Sequence, residues 1–267
     1  MAPAAAEATT PRRGVWLFPG VSAGALVDAV VAAEALGLDE VWIADEGVSR
    51  DPVPVLAAAA IRTSRVRLAT GITSPVLRHP GAIAASIATV DELSGGRAVL
   101  GLGVGGHLSL GPLGLGADRP VALLRDTIGI VRDVHGGIAS DAYTPPRHAM
   151  PPRSVPIWVG ARGPQLVRLA ARVADGLFLS GCTLAEHESI TANAATVGPI
   201  ATAIYQSAVD RPSTETELDW DAAHRVLSDA IVRFAPDAIG VNLVQLAVDG
   251  TDPIPYVERA AALLTGL

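Results

Sequence analysis

A chain of 267 residues, 49% hydrophobic and only 18% charged, carries enough apolar material for one large α/β domain or two small ones. Its net charge of -7 and pI near 5.3 leave no basic footprint for nucleic acid or an anionic membrane surface. The single cysteine, Cys182, excludes an internal disulfide and cysteine-rich zinc clusters, and a lone thiol fits a reducing, cytoplasmic compartment.

The opening MAPAAAEATTPRR holds small residues, proline and late arginines without an apolar core, so residues 1–13 read as a mobile tail rather than a signal peptide, with 14–267 as a single domain. VWLFP (15–19) is a first strand and ALVDAVVAAEALG (25–37) a helix ending on Gly37. EVWIAD (40–45), PVLAAAAIRT (54–63) and VRLATGIT (66–73) give strand, helix, strand. AIAASIATVDEL (82–93) is helical in spacing and is stopped by Ser94-Gly95-Gly96, after which AVLGLGVG (98–105) is a strand without alternation, as expected of one buried on both faces.

A glycine-rich loop, HLSLGPLGLGAD, leads to a helix over 119–134 with Pro120 in its first turn. Beyond a proline-rich linker come PIWVGA (156–161), PQLVRLAARVA (164–174) and GLFLSG (176–181). HESITANAATVGP reads as a short connection to strand seven (200–208), leaving the mouth of the fold open, and a helix (219–234), strand eight (240–248) and a closing helix (255–264) finish the chain. Eight β/α beats in about 250 residues are the pattern of a closed (β/α)8 TIM barrel, with an open doubly wound sheet as the competing arrangement.

In a barrel the chemistry gathers at the strand carboxyl ends. Gly101, Gly103 and Gly106 spell GxGxxG, but they close the fourth strand rather than the first, and a loop follows instead of a helix, so a dinucleotide fingerprint is not supported. A bare strand end running through Gly105 and Gly106 suits either a flat ring lying against backbone or tight helix packing.

Three blocks, EALGLDEVWIADE, RLATGITSPVLRHPGAIAASIATVDELSGGRAVLGLGVGG and VPIWVGARGPQLVRLAARVADG, together resemble the luciferase-like monooxygenase family, especially its deazaflavin-dependent branch. The resemblance spans most of 34–176 and is loose after Gly181. It implies a (β/α)8 barrel with shortened insertions, binding coenzyme F420 in preference to FMN and carrying out hydride transfer to, or oxygenation of, a small organic substrate. The resemblance also implies roles. Asp45 orients the ring, and Glu46 stands where many members carry histidine, as a proton donor or acceptor or as a solvated loop residue. Gly71 and Ile72 match the place of a non-prolyl cis peptide beneath the ring, with hydroxyls of Thr70, Thr73 and Ser74 near the rim.

GARGP, with Gly160, Ala161, Arg162 and Gly163 ahead of Pro164, joins a strand to a helix start, where free N–H groups and the positive helix end suit a phosphate. In the family this turn holds the coenzyme phosphate. Of six histidines, His107 directly follows strand four and is the first candidate for substrate contact or proton transfer, while His79 belongs either to the rim or to a helix cap. No histidine or carboxylate spacing marks a metal site. Two further function classes stay open on sequence: a coenzyme-free barrel acting as isomerase, cyclase or hydrolase, and a non-catalytic small-molecule binder or partner subunit. The apolar loop LSLGPLGLG leaves a homo-oligomer open as well.

Overall fold

Eight parallel strands pair in chain order and the eighth closes on the first, so the sheet has no edge. In this computed structural model, which describes residues 10–47, 49–207, 219–247 and 250–267, the strands are β1 Arg12–Leu17, β2 Glu40–Ile43, β3 Arg67–Thr70, β4 Ala98–Leu102, β5 Ile157–Gly160, β6 Gly176–Ser180, β7 Ala201–Ser207 and β8 Ala238–Leu243. Around them run α1 Ala23–Ala35, α2 Pro52–Ala60, α3 Pro80–Ser94, the short α4 His107–Leu110, α5 Pro120–Gly136, α6 Pro164–Val173, α7 Leu184–Ala195, α8 Trp220–Phe234 and α9 Ile254–Thr265. Among the described residues no helix is long and apolar enough to cross a membrane.

Two cores result from the alternation of strand side chains. Outward residues such as Val15, Leu17, Val41, Leu68, Leu100 and Val159 pack beneath the helices. Inward residues, chiefly Trp16, Trp42, Trp158, Phe178 and Tyr205, fill the barrel with Ala69, Ala203 and Ala238 between them. The three strand tryptophans, Trp16, Trp42 and Trp158, therefore all turn inward. Helix starts are fixed locally: the side chains of Ser22, Asp51, His79, Thr183 and Asp219 accept first-turn N–H groups.

Three boundaries differ from the sequence expectation. Residues 1–9 of the expected tail lie outside the described residues, but Arg12 and Arg13 belong to β1, because their backbone pairs with Ala238 and Ile239 of β8 and the Arg12 guanidinium reaches buried Glu40. Residues 184–195, read as part of a connection, form α7, whose Thr183–Glu186 capping box supplies both reciprocal hydrogen bonds. Strand eight ends at Leu243, and the chain continues as a 3-10 turn rather than to Val248, which lies outside the described residues.

His187 of α7 is 0% exposed, packs at a tilt of 48° against Phe234 of α8 at 5.7 Å between ring centroids, and has no hydrogen-bond partner for either ring nitrogen. Burial lowers its pKa, as it does for His135, which sits under α3 with Nε2 against the Ala84 carbonyl. Both rings are neutral in the fold, so below the ordinary value near 6.5 the unfolded chain binds protons that the folded chain refuses. Stability should therefore fall as pH drops from about 6.5, by at most about 1.4 kcal/mol per pH unit for each ring. Urea unfolding between pH 7 and pH 5.5 should show a shallower decline for His187→Leu than for the native chain; identical slopes would remove His187 from this account.

Candidate functional site

The strand carboxyl ends surround a cavity of about 520 Å³. Its floor is set by the aromatic filling below it. Trp16 donates its indole N–H to the Gly71 carbonyl, and the Gly71–Ile72 peptide is cis. Ile72 then reaches across the barrel: a Cβ on Gly103 would stand 2.1 Å from its Cδ1, and one on Gly160 would stand 2.5 Å from the same atom. The glycines ending β4 and β5 are thus the space that Ile72 occupies. Gly105, at φ +80°, turns the chain away from β4, and Gly105 and Gly106 both line the cavity.

Along the β2 side, Asp45 is buried and accepts hydrogen bonds from Thr73 Oγ1 at 2.7 Å and from Arg78 Nε at 3.1 Å. Arg78 also bridges to Asp51, the cap of α2, so this carboxylate is neutralised and held by its own neighbours. Glu46 faces the cavity, and Ser109 of α4 donates to its Oε2 at 2.5 Å. Ser74 lines the same wall, its hydroxyl accepting the Val76 N–H in a tight turn.

On the opposite side, the β5–α6 turn brings Gly160, Ala161 and Arg162 to the cavity. Gly163 caps α6 without any side-chain hydrogen bond, and Val167 is the residue whose N–H returns to the Gly163 carbonyl. The first amides of α6 are therefore left for another acceptor. Arg162 is committed elsewhere: Nη2 donates to the carbonyls of Ser180 at 2.8 Å and Gly181 at 3.3 Å, and Nη1 pairs with Glu186 at 3.5 Å. It braces the end of β6 rather than standing free over the α6 terminus.

Most of the residues singled out in sequence converge here: Asp45, Glu46, Gly71, Ile72 and Ser74 on one side, and the β4 and β5 glycines with Ala161 and Arg162 on the other. Thr70 does not reach the cavity. Its hydroxyl is buried between β3 and β4, donating to the Gly101 carbonyl at 3.0 Å and accepting the Gly101 N–H at 2.9 Å. His107 opens α4, but its side chain lies outside the described residues. His79 is the cap of α3, with Nδ1 accepting the Gly81 N–H. Sequence reading missed Trp16, Phe178, Ser180 and Cys182, all of which line the cavity; burial raises the Cys182 pKa and keeps it a thiol.

Comparison with known proteins places these features in a family. The model of the family described as luciferase-like monooxygenase matches residues 6–209. A 5,10-methylenetetrahydromethanopterin reductase from Methanolobus tindarius is 28% identical over 249 residues, 88% of this chain and 73% of that protein. An F420-dependent glucose-6-phosphate dehydrogenase from Nakamurella multipartita is 36% identical over 170 residues, 57% of this chain and 50% of that protein. With the Archaeoglobus fulgidus reductase, covered over 52% of its length, the chain spans about half of these last two relatives. Among solved structures, the coenzyme F420 dependent tetrahydromethanopterin reductase from Methanopyrus kandleri superposes with a TM-score of 0.72 at 19% identity, covering 97% of this chain and 99% of that one, which establishes the common fold.

The glycine wall makes a sharp contrast testable. A Cβ at Gly101 would fall 2.0 Å from the Thr70 backbone carbonyl, which cannot move without breaking the sheet, whereas a Cβ at Gly106 meets nothing within 4 Å. Gly101→Ala should cost about 1–3 kcal/mol or more in urea unfolding, and Gly106→Ala should stay within about 0.5 kcal/mol of the native chain.

Proposed function

This chain belongs to the luciferase-like monooxygenase family, and on that footing we propose that it is an oxidoreductase that holds the deazaflavin coenzyme F420 at the strand carboxyl ends and exchanges a hydride with a small organic substrate. The names of the relatives support F420 over FMN. The lone buried thiol accords with a reducing, cytoplasmic setting.

The residues present fit such a group. A flat ring needs a wall without side chains, and Gly105 and Gly106 provide one beside Ile72. The observation that carries the reading is the start of α6, which like those of α5 and α9 has no side-chain cap, and which alone of the three follows a turn, Gly160 to Arg162, that lines the cavity. Its free amides and positive end suit a phosphate without a lysine.

When bound, a reduced deazaflavin supplies a hydride. The remaining work falls to the chain. Gly71 and Ile72 support the ring, Trp16 fixing the Gly71 carbonyl from below. Asp45 is held by Thr73 and Arg78 and serves as a rigid edge of the site. Glu46 is the group for moving a proton: Ser109 occupies Oε2 and orients the carboxyl, and among the described residues Oε1 has no partner.

Titration with F420, followed by its fluorescence, should show saturable binding tighter than that of FMN. Gly163→Asp should weaken F420 binding by about tenfold or more, because the added carboxylate repels the phosphate. Position 163 has extended backbone and open space for a side chain. Aspartate is also a preferred N-cap, so stability should hold or rise by a few tenths of a kcal/mol. Unchanged affinity in this variant would overturn the phosphate placement, and failure of the native chain to bind either coenzyme would overturn the function.

A further inference from the structure

We infer that Ser180, turned by Asn242, is the hydrogen-bond donor that grips an oxygen of the substrate, and that the substrate is an uncharged carbonyl compound or the alcohol it forms. This rests on the function proposed above for the cavity, and deepens it.

Ser180 ends β6, lines the cavity, and is held from two directions. Its main-chain carbonyl accepts from Arg162 Nη2 at 2.8 Å, while the next residue's N–H ties β6 to the Tyr205 carbonyl at 2.9 Å. Its hydroxyl oxygen accepts from Asn242 Nδ2 at 2.7 Å. Asn242 faces inward from β8, in register with Trp16 of β1, and is 7% exposed. An oxygen that already accepts from an amide N–H turns its own proton away from that amide. Among the described residues nothing accepts the Ser180 proton, so the O–H is a fixed donor with the cavity in front of it. Asn242 makes this arrangement at a cost, since its Oδ1 is buried without a partner. A buried amide kept half-satisfied so that one hydroxyl points one way is a positioning device.

The charge around the cavity selects the class of oxygen. Asp45 is paired with Arg78, Glu46 is bonded to Ser109, and Arg162 is spent on two carbonyls and Glu186. Beside Ser180 there is thus a neutral donor and apolar surface from Phe178 and Leu179, with no uncommitted cation among the described lining residues to meet a phosphate or carboxylate. An uncharged carbonyl or carbinol oxygen satisfies that donor without leaving a buried charge unpaired.

The test uses cyclohexanone labelled with 13C at the carbonyl, followed by infrared difference spectroscopy, with and without saturating oxidised F420. The bound C=O band should lie lower in the native protein than in Ser180→Ala, and the alanine variant should bind the ketone about tenfold more weakly, the worth of one hydrogen bond at about 1.4 kcal/mol. Asn242→Asp offers only acceptors, claims the Ser180 proton, and should give the Ser180→Ala band; Ser180→Thr should restore the native one. An identical band in the native protein and Ser180→Ala overturns the assignment of Ser180, and a native band in Asn242→Asp overturns the positioning role of Asn242. In the F420-loaded protein dihydroxyacetone should bind at least tenfold more tightly than its phosphate ester; the reverse order overturns the uncharged class. F420 binding is scored separately by fluorescence. A Ser180-dependent ketone band without coenzyme binding would overturn the function proposed above and keep this inference, while coenzyme binding without that band would do the opposite.

Discussion

Everything at the mouth of this barrel depends on a steric exchange at its floor. Five large aromatic side chains are packed inside eight short strands, four of them in ring contact: Trp42 stacks on Phe178 at 4.2 Å, Phe178 leans on Tyr205 at 5.0 Å, and Trp158 meets Trp42 edge-on at 6.1 Å. They fit because the strands opposite them carry no side chain. A Cβ on Gly14 or Gly240 would stand 2.1 Å from an atom of the Tyr205 ring system, and one on Gly176 would stand 2.5 Å from Trp158. The polar ends of this cluster converge on Glu40, which is 2% exposed and accepts from Trp42 Nε1 at 2.8 Å, Tyr205 Oη at 3.0 Å and Arg12 Nε at 2.9 Å. Removing any one of these donors would leave a buried carboxyl oxygen short of a partner, a costly loss, so the Arg12 end of β1 is part of this cluster.

The plug fixes the height of the site. Trp42 and Trp16 stand within 3.0 Å of where a Gly71 side chain would be, so β3 can pass over them only as glycine. The next residue, Ile72, is thereby delivered above the aromatic layer, and it in turn requires glycine at 103 and 160. One chain of contacts runs from the floor through β3 to the ends of β4 and β5, and the bare wall of the cavity is its last link. The glycines at 103 and 160 are a packing consequence, required by Ile72 rather than by a helix, and Gly105 and Gly106 just beyond them line the cavity.

How much of this the sequence discloses follows from the range over which each feature is determined. Strands and helices rest on local periodicity, and the eight-fold alternation carries enough of it to give the barrel. Residues within one turn of a strand end, such as Asp45, Glu46 and Gly160–Arg162, are also legible, because barrel topology alone sends strand ends to one face. Thr70 lies lower than the rim: its hydroxyl is buried between β3 and β4, where it is bonded to the Gly101 backbone. Ser180 and Asn242 are 62 residues apart and meet only through closure of the sheet, so no local pattern marks them. The helix at 184–195 was within reach, since Thr183 and Glu186 spell a capping box, but alanine, asparagine and threonine on its surface masked the period.

Electrostatics then divides the cavity. A chain of net charge -7 repels an anion at long range, and in physiological salt that repulsion is damped over about 8 Å. An anion can still be held where amides point at it directly, and the field of a helix terminus falls off within its first turn. The start of α6 is such a place, while Arg162 beside it and Asp45 and Glu46 across the cavity are bound to partners of their own. Attraction for negative charge is therefore confined to one corner, and what the β6 and β8 ends offer is hydrogen bonding without charge. On the proposed function, a substrate with its own phosphate would compete for the corner proposed for the coenzyme and a neutral one would leave it free, so the division of polarity around the rim would let two ligands share one barrel mouth.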